Sequence, residues 1–174
     1  KHQYMYWSAY QIAMLQNCLT QLLLAMNDKN IMKDIRIEEL IEIGEIFEMV
    51  VTGDSMLPLL GVGRDRLVLR RINDQEDITE RIAMFRSNDQ QIVVHRVIDV
   101  NNNIVTLQGY GNISKVERVE RDRIIAVLER VIRDNNKEID CLSESWRKKE
   151  RMWLGLPIWL RKHTLSLIRL WKKQ

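Results

Sequence analysis

Ile92-Val93-Val94-His95-Arg96-Val97-Ile98-Asp99-Val100, then Asn101-Asn102-Asn103, then Ile104-Val105-Thr106-Leu107, is the stretch that decides the fold. Two runs rich in β-branched residues flank three asparagines. Branched side chains suit a pleated surface, and asparagine tolerates the positive φ of a tight turn, so the stretch reads as an antiparallel hairpin. Working outward, Leu67-Val68-Leu69, Ile82-Ala83-Met84-Phe85 and Ile124 to Val131 are further short strand-like runs with no long helix between them. Asn88-Asp89 reads as another turn. Upstream, Glu45 to Thr52 alternates, with Phe47, Met49 and Val51 on one side, the period of a half-buried strand. The expectation is a mainly β, α+β protein. A compact, mostly antiparallel β domain would occupy residues 31–140, flanked by helices at both ends.

The two ends differ in character. Tyr4 to Met26 carries no charge, which is long enough to span a bilayer. Gln11, Gln16, Asn17 and Gln21 interrupt it, however, while Ile12, Leu15, Leu19, Leu22 and Met26 recur at helical spacing. An amphipathic helix within 1–30 is the better expectation. Ile37 to Ile43 then reads as a short acidic helix that Gly44 can cap. At the other end, Ser143 to Gln174 holds nine Lys or Arg against two Glu, a balance of +7 in a chain whose net charge is +3. Trp146, Trp153, Trp159 and Trp171 lie in the same tail. Residues 141–174 are expected to form a basic, Trp-rich amphipathic segment, helical from about Pro157 to Lys173. Trp159, Leu160, Leu167 and Trp171 would share its apolar face, and Arg161, Lys162, Arg169, Lys172 and Lys173 its basic face. Such a helix either meets an anionic membrane surface or packs on the β domain, and both expectations stand. Nucleic acid is disfavoured, because no helix-turn-helix pattern is evident and tryptophan on an apolar face points to lipid or packing.

With 45% apolar residues and nine Gly plus Pro among 174 residues, the chain can bury a core and is not of a disordered composition. It begins at Lys1 without an initiator methionine, so a processed or trimmed start is expected. Cys18 and Cys141 are far apart and match no ligand spacing, and His2, His95 and His163 form no cluster. A cytoplasmic protein, free or peripherally attached to a membrane, with no metal and no cofactor is the expectation; oligomeric state is left open.

The chemistry-bearing segments are Gly53-Asp54-Ser55-Met56-Leu57-Pro58 and, forty residues after the serine, the run around His95. A serine hydroxyl is a weak nucleophile and needs a base within reach to take its proton. Either residue alone is commonly structural. Together the two segments resemble the paired signatures of type I signal peptidases and LexA-like serine peptidases, over about residues 45 to 133. The resemblance implies a curled β fold with Ser55 as nucleophile. It puts His95 in the slot of the general base, which is lysine in the bacterial branch and histidine in the endoplasmic-reticulum and archaeal branch. Gly109-Tyr110-Gly111-Asn112 stands where the family has a Gly-Asp-Asn-like element. Tyr110 therefore occupies the place of the acid that would orient the histidine, and Glu117 and Asp122 are the other candidates for that role. Leu59 replaces a usual threonine, and Gly63-Arg64-Asp65 stands where Gly-Asp is frequent.

What the resemblance implies is cleavage of a peptide or protein substrate, of leader or signal type, lying extended along a strand edge. Gly53, Asp54 and Ser55 would supply oxyanion N–H groups, and Met56 and Pro58 would shape the turn. The competing expectation is a catalytically inactive peptide-binding protein of the same fold.

Overall fold

The computed structural model describes residues 46–73, 75–133 and 136–171. The amphipathic helix expected within 1–30, the acidic segment of 37–43 and Cys18 lie outside the described residues.

Among the described residues eight strands and two helices follow in order: β1 (Ile46–Val50), β2 (Asp65–Arg71), β3 (Ile82–Arg86), β4 (Ile92–Asn101), β5 (Ile104–Gln108), β6 (Glu117–Glu120), β7 (Ile124–Arg133), β8 (Lys137–Asp140), α1 (Glu144–Leu154) and α2 (Ile158–Trp171). The strands form one sheet in the order β1-β2-β7-β3-β4-β5-β6, with β8 also paired to β7. Every pairing is antiparallel, so the protein is mainly β within an α+β class.

Local chemistry explains the strands. In the β4–β5 hairpin Asn101 pairs with Ile104, and Asn102 takes a φ of 54°, which asparagine accommodates at little cost. The β3–β4 turn closes with the Ser87 N–H donating to the Gln91 carbonyl at 2.8 Å, and Gln90 has a φ of 62°. β5 alternates: Val105 and Leu107 are buried, while Ile104 is exposed. β3 is buried along Ile82 to Phe85 because β4 and β7 flank it on both sides. Burying Ile82, Met84 and Phe85 contributes about 1.5–3 kcal/mol each. The core joins Phe85, Val97, Val105, Leu107, Val119 and Val127.

β6 and β8 escape a pattern reading. Glu117-Arg118-Val119-Glu120 offers only Val119 to the core, and charge along an edge strand blocks further pairing.

The tail is two helices, not one. Ser143 caps α1, its hydroxyl accepting the Trp146 N–H at 3.3 Å, and Gly155 ends it. Pro157 then precedes α2, as the sequence predicts for a helix start. The expected faces of α2 are only partly right. Arg161, placed on the basic face, is buried with Leu165 against the body, whereas Trp159 (64% exposed), Leu167 (58%) and Leu170 (62%) face outward. Leu160 is half-buried. No helix among the described residues is long and apolar enough to cross a membrane.

Candidate functional site

β1 delivers the chain to the Ser55 turn. Met56, Leu57 and Leu60 are buried, so the turn is pinned by its apolar residues while Asp54 stays exposed and Ser55 half-exposed. Met56 thus packs as its residue type suggests. The turn is also anchored by charge. Asp65, at the start of β2, is buried and accepts hydrogen bonds from Arg133 Nε at 2.6 Å, Arg64 Nε at 3.0 Å and the Gly61 N–H at 2.8 Å. Burial pushes its carboxyl up, but the bonds from Arg133, Arg64 and Gly61 outweigh that and hold it below the ordinary aspartate value. Both arginines then reach back to the Leu59 carbonyl, at 3.0 Å from Arg64 and 2.9 Å from Arg133.

His95 lies in the first half of β4, paired with Ala83 of β3, and is 2% exposed. The Phe85 ring tilts against it, with centroids 5.8 Å apart. Its Nδ1 faces the Glu117 carboxylate at 3.6 Å, and Glu117 is itself paired with Lys115 at 3.1 Å. Neither ring nitrogen makes a hydrogen bond. Burial pushes the imidazole below its ordinary value of 6.5; Glu117 pulls it up and Lys115 pushes it further down. A neutral imidazole at neutral pH can accept a proton.

The Ser55 carbonyl and the His95 ring both lie against the loop after β5. A Cβ added to Gly109 would lie 2.4 Å from the Ser55 carbonyl oxygen and 2.9 Å from His95 Nε2. The Nε2 edge and the serine backbone are therefore neighbours across this glycine. Gly111 repeats the device: its Cβ would meet the Asp54 carbonyl at 2.7 Å, and its N–H donates to the Ser55 carbonyl at 2.8 Å. Only residues without a side chain let two backbones approach this closely.

Tyr110, between these glycines, does not turn its hydroxyl to His95. That hydroxyl donates to Glu150 of α1. The carboxylate at the imidazole is Glu117, one of the alternatives the sequence left open. Asp122 sits in a short 3-10 turn, Arg121–Arg123. Gly53 is exposed, with nothing within 4 Å of where its Cβ would stand. Pro58 is half-buried behind a cis Leu57–Pro58 bond.

A groove of about 210 Å³ runs beside Ser55, between the end of β1 with the residues after it (Met49 to Gly53) and the start of β4 (Ile92 to Val94). Its floor is apolar, with Met56, Leu60 and Leu67. β1 is an edge strand, and β5 begins pairing with β4 only at Arg96, so Ile92 to His95 has a strand partner on the β3 side alone among the described residues. Among the described residues no group of three or more His, Cys, Asp or Glu could hold a metal ion. Cys141 is a buried free thiol pushed up to about 12, chiefly by burial.

Glu150, Trp153 and Arg161 were not legible as neighbours of this loop. They reach it from 40 to 51 residues away, and no local pattern marks such contacts. No protein-family model matches the chain, and no curated protein compared with it matches either.

Proposed function

We propose that this chain is a serine peptidase of the signal-peptidase and LexA-like type, cutting a peptide bond in an extended leader or signal-type substrate. The observation that carries the reading is the meeting at Gly109 of the Ser55 turn with the Nε2 edge of a buried imidazole, whose Nδ1 faces a carboxylate. Ser55 Oγ attacks the carbonyl carbon of the scissile bond as its proton passes to His95 Nε2. Backbone N–H groups of the 53–55 turn stabilise the oxyanion. The imidazolium returns the proton to the leaving amine, and a water then cleaves the acyl-enzyme with the same imidazole as base. Glu117 steadies the transient imidazolium. His95 Nε2 has no hydrogen-bond partner without substrate, and the Ser55 Oγ–Nε2 hydrogen bond is one that substrate binding must complete.

The groove supports the substrate class. An extended peptide entering between β1 and the first half of β4 meets strand edges that have no further strand partner among the described residues and an apolar floor beneath alternate side chains, which is strand addition. A catalytically inactive peptide binder would use the same groove, and the unpaired Nε2 favours it as the second reading. Incubating wild type and Ser55→Ala with a peptide library, with products read by mass spectrometry, separates the two. Loss of every product in the variant supports the peptidase; identical profiles leave only binding. The outward apolar face of α2 and the basic tail support peripheral attachment to an anionic membrane. Sedimentation with anionic against zwitterionic vesicles tests that attachment, and equal sedimentation with both argues for packing instead.

A further inference from the structure

We propose that the C-terminal helix pair is a positioning clamp for Ser55, acting through Tyr110. This deepens the peptidase reading and rests on it for its kinetic consequence.

Tyr110 is buried, and three groups from the helices converge on it. Its hydroxyl donates to Glu150 of α1; its carbonyl accepts the Trp153 indole N–H at 3.1 Å and an Arg161 N–H of α2 at 3.4 Å. The Arg161 guanidinium also lies 5.3 Å from the centre of the Trp153 ring, which couples the two helices at this point. Arg169, two turns along α2, donates to the Gly111 carbonyl at 3.4 Å. Packing alone would need only apolar surface, because a buried guanidinium and carboxyl are costly without a partner. Here both reach one residue of one loop, although Glu150 also faces Arg96 Nε at 3.7 Å. That residue is followed by Gly111, whose N–H holds the Ser55 carbonyl, and preceded by Gly109, where an added Cβ would stand 2.9 Å from His95 Nε2. The contacts form one physical chain from helix to Tyr110, from Tyr110 to its flanking glycines, and from those to the serine turn and the imidazole. A slack loop would leave the hydroxyl and imidazole present but misaligned, and misalignment acts on turnover more than on binding.

The test uses the full chain with two conservative variants. Tyr110→Phe removes only the hydroxyl, and Trp153→Phe removes only the indole donor while keeping an aromatic ring. Met152→Ala, on the exposed side of α1, is the control. Amide hydrogen exchange is followed at Gly111 and at Met84 in the centre of the sheet, and kcat and KM are measured on a peptide the wild type cleaves. Loss of a buried hydrogen bond predicts Gly111 exchange faster by about tenfold and kcat lower by about tenfold, with KM and Met84 little changed. Unchanged Gly111 exchange overturns the clamp. Acceleration of Gly111 and Met84 by the same factor also overturns it, since the helices would then supply only global stability, and so does faster Gly111 exchange with unaltered kcat. Faster local exchange in a wild-type background that cleaves nothing supports the tether and sinks the peptidase instead. Arg161→Lys replaces either aromatic variant that fails to fold.

Discussion

Gly109→Ala is the sharpest perturbation available at this site. The added methyl would lie 2.4 Å from the Ser55 carbonyl oxygen, where ordinary contact begins at 3.4 Å, so about 1 Å of separation must be found. Neither neighbour yields easily. The oxygen belongs to the backbone and is held by the Gly111 N–H, while the His95 ring, 2.9 Å away on the other side, is buried against Phe85. Overpacking of this kind costs about 1–3 kcal/mol. With a urea slope of about 1–3 kcal/mol/M, the unfolding midpoint should fall by roughly 1 M. A 1 Å shift of serine against imidazole should lower kcat by about 10²-fold. Gly53→Ala is the matched comparison. Nothing stands within 4 Å of its Cβ, so its stability should stay within about 0.5 kcal/mol of wild type. Its kcat/KM should still fall, because the methyl enters the space that a substrate backbone needs. Urea melts and steady-state kinetics on both variants decide the matter. A Gly109→Ala protein as stable and as active as wild type would show that the serine turn and the imidazole do not meet through this loop.

Four further outcomes are expected. Because burial holds the His95 imidazole below 6.5, kcat/KM should rise with pH to a plateau, with its half-point below that value. Glu117→Gln removes the charge that pulls the imidazole up, so it should move the half-point lower still and cut turnover by up to about 10⁴-fold; an unmoved half-point argues against Glu117. Asp65→Asn leaves two arginines facing a neutral group and should cost about 3–5 kcal/mol at neutral pH. The Asp65 carboxyl is depressed in the folded protein, so its contribution is complete above the unfolded value and is lost as pH falls through the folded one. The gap between wild type and variant should therefore close in acid melts below about pH 4. Glu150 is pushed up to about 7 by burial, against the pull of Arg96 and Arg151 and with help from Glu80. The folded state then keeps a proton that the unfolded chain loses above the ordinary value of 4.5. Stability should fall by as much as about 3 kcal/mol as pH rises through that window. Glu150→Gln, which still accepts the Tyr110 hydroxyl, should flatten the slope, and a persisting slope would assign it to another group.

The sheet was legible where residues repeat at a strand's own period. Phe47, Met49 and Val51 turn to the protein together, Val105 and Leu107 are buried on one face of β5, and the asparagine turn forms where three asparagines stand. β6 was not legible, because Val119 alone among four residues is apolar. Arg161 departs from its expected exposed face for a related reason. Charge predicts exposure only when nothing buried needs a donor, and the Tyr110 carbonyl does.

Taken alone, the sequence determined the strands other than β6 and β8, the asparagine turn, and that a serine follows one strand while a histidine lies within another. Those features are local, set by side-chain periodicity and by backbone freedom within a few residues. The tertiary structure alone decided which groups face one another: Glu117 and not Tyr110 at the imidazole, Glu150 at the Tyr110 hydroxyl, and two glycines as the points of closest approach. Such pairings join residues distant along the chain, and they depend on strand order and register, which no short stretch of residues encodes.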